Sequence, residues 1–306
     1  VYKRQRLTCL MSSKQFFISR YKKLGWDYKQ PKLKKTIRIN TINAIEDRVT
    51  SRLEKLGITL EKVPFLDTGY WINKSKFSVG ATAEYLLGLY SIQEAAAQIP
   101  ATLFTRLKNK TVLDACASPG GKTVQMANLM KNSGIIVALD LKPRKMFPLV
   151  NQLERSQVTN TATYNMDAKE ATKLDIMFDC VLLDVPCSGN PITDRDWFNK
   201  RTMADVHKNA RRQRQILAEA TKVTKTGGEI VYATCSLEPE ENEMNMDWAV
   251  KSLPLKIEKI KCYGEKALTK VFDNELDASI QKAKRIWPYK TQGFFVCKLK
   301  KIGNEK

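Results

Sequence analysis

From residue 111 onward, short apolar runs alternate with helical segments, and this alternation restricts the possible folds more than any other feature of the chain. Apolar runs of this length between helices are typical of buried parallel strands. The predicted strands are Val112–Asp114, Ile135–Leu139, Thr161–Tyr164, Cys180–Leu183 and Glu229–Ala233, and the predicted helices lie near Lys122–Met130, Pro143–Ser156 and Ala204–Val223. The pattern predicts an α/β fold with a doubly wound parallel sheet, which binds ligands at the carboxyl ends of its strands.

The residues before this alternation predict a smaller α/β unit. Its predicted elements are a strand at Thr36–Asn40, an amphipathic helix at Ala44–Leu56, and strands at Ile58–Val63 and Thr68–Ile72. We expect this small domain to span residues 36–80 and the large domain residues 81–306, with a helix at Gln93–Leu103 between the two sheets. A last strand, antiparallel to its neighbours, is predicted near residues 293–299.

Positive charge is concentrated at the start of the chain. The formal net charge is +20, and residues 1–37 hold eleven Lys and Arg against one acidic residue, Asp27. The aromatic residues interleaved with these cations are Phe16, Phe17, Tyr21, Trp26 and Tyr28. Because cations bind phosphates and aromatic rings stack on bases, residues 1–35 are predicted to be a basic segment that contacts a nucleic acid. The sequence leaves open the alternative of a solvated, lysine-rich face.

The composition argues against a membrane protein and against a metal site. No apolar run approaches a membrane span, and seven cysteines without close spacing indicate reduced thiols in a cytoplasmic protein, which we expect to be a monomer. His207 is the only histidine and no Cys-x-x-Cys pair occurs, so no metal site is expected. We interpret residues 1–5, and by extension 1–10, as an assembly artefact, because Val1–Gln5 can be back-translated as a transposon end.

A glycine-rich turn follows the first strand of the large domain, in Asp114-Ala-Cys-Ala-Ser-Pro-Gly-Gly-Lys-Thr123. Gly120 and Gly121 would let the backbone approach a ligand, with the N–H groups of the next helix directed at it. A phosphate-binding P-loop needs glycine where Cys116 stands, and the Gly-x-Gly-x-x-Gly of dinucleotide folds is absent. The turn therefore favours a nucleoside-type cofactor with a charged amino-acid tail.

Acidic residues end or follow the next three strands. Asp140 ends the second strand, where a carboxylate accepts hydrogen bonds from ribose hydroxyls, and Asp167 follows the third, where it would accept from an adenine amino group. Asp184 ends the fourth. One acid at a strand end is more often a helix cap, but three in succession after a glycine turn favour S-adenosylmethionine.

Two cysteines follow predicted strands at the same edge of the sheet, Cys187 and Cys235. A single cysteine there is usually a small buried hydrophobe. Two of them beside the glycine turn predict a thiol nucleophile. Methyltransferases that modify amino groups need no thiol and tend to carry an Asn/Asp-Pro-Pro-aromatic run, so Asp184-Val-Pro-Cys187 favours methylation of a pyrimidine carbon.

Over most of residues 36–299 the chain resembles the Nop/Sun (Fmu/Sun-type) family of S-adenosylmethionine-dependent RNA cytosine-5 methyltransferases. The segments that carry the resemblance are Arg38-Ile-Asn-Thr41, Ile92-Gln-Glu-Ala-Ala-Ala97, the glycine-rich turn, Asp184-Val-Pro-Cys-Ser-Gly189, Ala233-Thr-Cys-Ser236 and Glu238-Pro-Glu-Glu-Asn-Glu243. Lys145 and Gln292 depart from the arginine and aspartate that are frequent in the family. The resemblance implies a Rossmann-like class I methyltransferase domain preceded by a small RRM-like domain that binds RNA.

The resemblance also implies the site. The residues expected to bind S-adenosylmethionine are Cys116, Ala117, Ser118, Pro119, Gly120, Gly121, Lys122, Asp140, Asp167 and Asp184. Cys235 is expected to be the nucleophile, Cys187 to release the product and Lys122 to lie near the base. From the chemistry of the reaction, Asp184 is expected either to stabilise or to supply the proton that ring nitrogen 3 gains. The RNA is tRNA or rRNA, with tRNA slightly favoured. The alternative is a non-catalytic RNA-binding or ribosome-assembly factor, which would not need all four of these residues.

Overall fold

A computed structural model describes residues 12–303, and its first part contains a four-stranded antiparallel sheet. The elements of this part are α1 (Ser13–Lys23), β1 (Thr36–Ile39), α2 (Glu46–Lys55), β2 (Thr59–Lys62), β3 (Gly69–Lys74), α3 (Ala83–Leu86) and β4 (Tyr90–Ile92). The strand order is β2-β3-β1-β4. None of the helices in the described part of the chain has the length and apolar character needed to cross a membrane.

The small unit is built on the predicted strands and on one that was not predicted. Val49 and Leu53 on α2 pack against Ile37 and Ile39 on β1, as expected for the apolar face of an amphipathic helix. The predicted boundary at residue 80 falls before β4, which pairs with β1 in the same sheet. We therefore propose that the small unit extends through residue 92.

The large unit is a nine-stranded mixed sheet with helices packed against it. Its elements are β5 (Thr111–Asp114), α4 (Gly121–Met130), β6 (Ile135–Asp140), α5 (Pro143–Arg155), β7 (Thr161–Asn165), β8 (Phe178–Asp184), α6 (Trp197–Lys200), α7 (Met203–Val223), β9 (Thr224–Thr234), α8 (Glu243–Ser252), β10 (Leu255–Glu258), β11 (Glu265–Lys266), a hairpin of β12 (Lys270–Val271) and β13 (Asn274–Glu275), β14 (Lys284–Ile286) and β15 (Phe294–Lys301). The strand order is β11-β14-β15-β9-β8-β5-β6-β7, and β10 pairs with β15.

The centre of this sheet confirms the predicted doubly wound fold. The run β7-β6-β5-β8-β9 is parallel, and β15 is antiparallel to β9, as the sequence predicted for the last strand. Residues such as Leu113, Val181 and Val231 are fully buried, because helices or loops cover both faces of the sheet. The helix predicted at Gln93–Leu103 is instead two 3₁₀ turns, Ala96–Gln98 and Pro100–Leu103, since proline has no N–H to continue the first turn.

The basic N-terminal segment is partly a core element. Phe17, Tyr21 and Trp26 are at most 1% exposed. Phe17 packs edge-on against Trp197 at 4.7 Å between ring centroids, and Trp26 stacks on Trp287 at 5.6 Å. The prediction that these three aromatic side chains stack on bases is wrong, because their rings are buried against the large unit. Residues 1–10, interpreted as an artefact, lie outside the described residues.

An ion-pair cluster fastens α1 to the loop that follows β9. Arg20 donates to the carboxylates of Glu238 and Glu240, with N–O distances of 3.1 and 2.7 Å. Glu238 is fully buried, and its burial raises the pKa of that carboxyl to about 7, although the nearby Arg20 opposes the shift. The N-terminal helix thus contacts the chain only three residues after Cys235.

Buried polar groups join the two units. Asn40 donates from Nδ2 to the carbonyl oxygens of Gly88 (2.8 Å) and Ser156 (2.9 Å), one on each unit. Arg38 is 2% exposed and donates to the carbonyl oxygen of Gly121 at 2.8 Å. Because unpaired buried donors are costly, these bonds hold the units in one arrangement.

Gly88 and Gly57 both follow a helix with a positive φ, and they provide a matched test of this joint. A Cβ at Gly88 (φ 69°) would overlap the carbonyl oxygen of Arg155, whereas a Cβ at Gly57 (φ 78°) has nothing within 4 Å. We expect Gly57→Ala to cost about 1–2 kcal/mol of unfolding free energy from φ alone, and Gly88→Ala about 3 kcal/mol or more. Urea unfolding measures both, and equal losses would mean that the units are not packed as described.

Candidate active site

Two thiols meet at the carboxyl ends of neighbouring strands. Asp184 on β8 lies opposite Ala233 on β9, so the loops that carry Cys187 and Cys235 begin side by side. The two Sγ atoms are 3.2 Å apart, and both cysteines are free thiols. The structure thus brings together the two cysteines that the sequence singled out.

A buried carboxylate holds the two cysteine loops together. Glu241 is fully buried and accepts hydrogen bonds from the backbone N–H of Ser188 (3.0 Å), Oγ of Ser236 (2.9 Å) and Nε2 of Gln213 (2.7 Å). Each serine directly follows one of the cysteines. Glu241 therefore sets the relative position of the thiols through the residues next to them. This role was not predicted, although Glu241 lies in the acidic run Glu238-Pro-Glu-Glu-Asn-Glu243.

The two thiols differ in their surroundings. The hydrogen bond with Cys235 and burial raise the pKa of the Cys187 thiol well above its usual range. Cys187 is therefore a neutral thiol at neutral pH and can donate its proton to the sulfur of Cys235. The nucleophilic form of a cysteine is the thiolate, and a hydrogen-bond donor beside a sulfur interacts with that form more strongly than with the thiol.

Lys122 and Asp184 form an ion pair beside the thiols. Lys122 lies in the first turn of α4, and its Nζ is 2.5 Å from Oδ2 of Asp184 at the end of β8. The Lys122 side chain is 12% exposed and that of Asp184 is 32% exposed, so the carboxylate keeps access to a ligand. The lysine also lies 5.6 Å from the ring centroid of Phe294, which limits its movement.

A cleft of about 290 Å³ opens at this edge of the sheet. The predicted site residues that line it are Cys116, Ser118, Asp140, Asp167, Asp184, Cys187 and Cys235. Asp140 is 6% exposed and accepts from the N–H of Lys142 at 3.1 Å. Asp167 accepts from the N–H of Lys169 at 3.1 Å and so caps a 3₁₀ turn. Capping is the alternative role that the sequence leaves open for an acid at a strand end.

The other predicted cofactor residues lie in the turn itself, next to the cleft lining. They are Ala117, Pro119, Gly120, Gly121 and Lys122. Gly120 has a φ of 100°, and a Cβ there would press on Leu149 and Gln152 of α5 at 3.1–3.2 Å. The glycine is therefore required by backbone conformation and by the packing of α5.

Among the polar residues that were not predicted, Asp114 directly precedes Ala115 of the cleft lining, and Arg212 and Lys142 belong to the lining itself. Asp114 ends β5 and is 1% exposed; burial raises the pKa of its carboxyl to about 7, while Thr123 donates to it at 2.8 Å. Its position at a strand end, like the other three acids, was a signal that could have identified it. Arg212 and Lys142, unlike Asp114, line the cleft. Arg212 is one of several arginines on α7, and only the folded helix reveals which one faces the cleft.

The chemistry of the cleft fits a nucleoside cofactor with a charged tail. Asp140 and Asp167 offer carboxylate oxygens to hydroxyl and amino donors, and Arg212 and Lys142 offer cations to a carboxylate. No group of three or more His, Cys, Asp or Glu side chains arranged to hold a metal ion occurs in residues 12–303.

Replacing Glu241 with glutamine tests the link between the cysteine loops. Glu241→Gln exchanges one acceptor oxygen for an amide NH₂, so one donor loses its partner, and we expect about 1–3 kcal/mol less unfolding free energy. The thiols should then form a disulfide more slowly with a mild thiol oxidant. Glu240→Gln is the control, because Glu240 pairs with Arg20 instead. An unchanged oxidation rate in Glu241→Gln would contradict the role of this carboxylate.

Comparisons with known proteins agree with this geometry. The family described as 16S rRNA methyltransferase RsmB/F matches residues 101–300, and the N-terminal domain of 16S rRNA methyltransferase RsmF matches residues 11–95. A methyltransferase homolog protein from Pyrococcus horikoshii has a solved structure that is 35% identical, with a TM-score of 0.82 over 89% of this chain and 87% of that one.

Two curated relatives are longer than this chain. Human 28S rRNA (cytosine(4447)-C(5))-methyltransferase is 33% identical over 279 residues, which are 88% of this chain and 34% of the human protein. Ribosomal RNA small subunit methyltransferase F of Shewanella woodyi is 32% identical over 292 residues, which are 90% of this chain and 59% of that protein. The match over residues 101–300 confirms the Nop/Sun resemblance and the Rossmann-like fold: the chain belongs to the RsmB/F family of methyltransferases.

Proposed function

We propose that this protein transfers a methyl group from S-adenosylmethionine to carbon 5 of cytosine in ribosomal RNA. The observation that supports this most strongly is the pair of thiols 3.2 Å apart beside a cleft lined by Asp140, Asp167 and Asp184. A methyltransferase that modifies an amino group would need neither thiol.

The relatives favour ribosomal RNA over transfer RNA as the substrate. The human and Shewanella woodyi relatives are both named for ribosomal RNA, in the large and the small subunit respectively. The size of the chain alone slightly favours tRNA. We now prefer rRNA, since the names of the relatives bear on the substrate more directly than size does.

The reaction needs a covalent step because carbon 5 of cytosine is a poor nucleophile. We propose that the Cys235 thiolate bonds to carbon 6, which moves electron density to carbon 5 and makes that carbon reactive. S-adenosylmethionine supplies the methyl group from its sulfonium. Cys187, as the neutral thiol 3.2 Å away, can donate a hydrogen bond to the sulfur of Cys235.

Asp184 and Lys122 are proposed to act on the pyrimidine ring. When carbon 6 is attacked, ring nitrogen 3 takes up a proton from water, and a partly exposed carboxylate can accept a hydrogen bond from the N–H that forms. Asp184 is 32% exposed and is oriented by Lys122 at 2.5 Å. The ammonium of Lys122 also stabilises negative charge that develops near the base.

Cys187 is proposed to release the product. After methyl transfer the proton on carbon 5 must leave and the bond from Cys235 to carbon 6 must break. A thiol that touches Cys235 lies within reach of the adduct: it can donate its proton to the sulfur of Cys235 as the bond to carbon 6 breaks, and the Cys187 thiolate so formed can accept the proton from carbon 5. Loss of Cys187 should therefore leave attack possible and release slow.

An assay with labelled S-adenosylmethionine tests the proposed function directly. We expect the protein to label rRNA from a strain lacking the gene, to label tRNA far less, and to leave rRNA from a strain that carries the gene unlabelled. Chemical deamination followed by sequencing identifies the cytosine. Cofactor binding without any labelling would instead support a non-catalytic factor.

Substitution of each cysteine separates the two proposed roles. Cys235→Ala should lower methyl transfer on the order of a thousandfold or more while cofactor affinity stays unchanged. Cys187→Ala should accumulate a covalent protein–RNA species, seen as a slower band on a denaturing gel. Cys262→Ala is the control, because this free thiol lies outside the cleft and should change neither readout. Full turnover by Cys235→Ala would refute the proposed nucleophile.

A further inference from the structure

Two open grooves flank residues 28–35 of the N-terminal segment, and their linings contain cations but no acidic side chain. The first groove, of about 680 Å³, lies between residues 28–32 and residues 191–199. The second, of about 450 Å³, lies between residues 32–35 and residues 72–79 of the small unit. Their cations are Lys14, Lys32 and Arg195 in the first groove and Lys32, Lys34, Lys35 and Lys74 in the second.

Lys32 lines both grooves, so they meet along one surface, which we call the basic track. We propose that the basic track binds a single strand of RNA that flanks the target cytosine. This inference rests on the proposed function and adds the path that the RNA takes from the thiols to the small unit.

The first groove is connected to the active site through its own wall. Pro191 lines the groove, and the preceding Asn190 is fully buried and donates from Nδ2 to the carbonyl oxygen of Cys235 at 2.8 Å. Oδ1 of Asn190 accepts from the N–H of Ile192 at 3.0 Å, which holds the wall in place. The wall of the first groove is therefore one residue away from a side chain that contacts the loop of Cys235.

The charge of the track suits a polyanion. Lys34 is paired with Glu61 at 2.7 Å, but the remaining cations form no ion pair with any residue in the described range 12–303. These cations are Lys14, Lys32, Lys35, Lys74 and Arg195. Phosphates would provide the counter-charge that the protein does not, and releasing their counterions would favour binding.

The track also has aromatic surface, which favours a single strand over a duplex. Phe77 in the second groove is 43% exposed, and Tyr28 in the first is partly exposed. Exposed rings stack on bases only when those bases are unpaired. By contrast Phe17, Tyr21 and Trp26 are buried. These rings therefore stabilise the fold, while the lysines of the segment are left to bind RNA.

Charge reversal on the track provides the test, because deleting the segment would remove part of the core. The test protein is the double variant Lys32→Glu/Lys35→Glu. The control is the double variant Lys108→Glu/Lys131→Glu, which changes the charge equally. Its two lysines precede β5 and β6, at the edge of the sheet opposite the cleft. Both are made in full-length protein that carries Cys235→Ala, so that covalent capture does not add to affinity. The probe is a single-stranded, cytosine-containing RNA oligonucleotide of defined sequence, so the test does not require the target cytosine to be known.

We expect the track variant to bind the RNA about tenfold more weakly than the parent at about 100 mM salt. The slope of the logarithm of the binding constant against the logarithm of the salt concentration should fall in magnitude by about 1.4, because two phosphate contacts are lost. The control pair should stay within about twofold of the parent. Both variants should keep parental affinity for S-adenosylmethionine and parental unfolding midpoints. Equal losses in the two variants would overturn the track, and equal binding of the matching duplex would overturn the single-strand assignment.

The outcomes for the track and for the proposed function can be told apart. If RNA binding depends on Lys32 and Lys35 but the wild-type protein methylates no RNA, the chemistry is refuted and the track stands. If the wild-type protein methylates rRNA while the track variant binds as tightly as its control, the track is refuted and the chemistry stands.

Discussion

The parallel pairing of β8 with β9 is the constraint on which the rest of the site depends. Because Asp184 and Ala233 lie opposite each other, the chain leaves both strands at the same edge and carries Cys187 and Cys235 to within 3.2 Å. A parallel sheet requires long crossovers, and α7 provides the one between these strands. Glu241 completes the arrangement by accepting hydrogen bonds from both cysteine loops, and an unpaired buried carboxylate would be costly.

The N-terminal segment combines packing with surface charge. One face of α1 is buried against Trp197 and Phe198, and Arg20 binds the loop after Cys235. Lysines from the same segment, Lys14 and Lys32 among them, line open grooves. This division is common for long cationic side chains, whose charged ends stay in water while neighbouring apolar residues enter the core. The described part of the basic segment is thereby attached to the large unit.

Several residues illustrate where sequence reasoning succeeded and where it failed. The strand predicted at Ile135–Leu139 is observed and ends one residue later, at Asp140, because continuous apolar runs are buried on both faces in a parallel sheet. The burial of Tyr21 was missed, because composition does not reveal what an aromatic ring will contact. Arg212 was missed as well: its place in the cleft depends on the rotation of α7 relative to the sheet. The small strands β10–β14 were also missed, since two to four residues carry too little pattern.

The sequence by itself determined the fold class, the family and the two cysteines, because strand periodicity and motif spacing are local properties that the chain carries before it folds. Only the tertiary structure decided that the thiols touch, that Glu241 joins their loops, and that Lys32 connects two grooves. These relations link residues far apart in the chain, such as Cys187 and Cys235. Their distances are set by strand register and side-chain packing, which no local pattern encodes.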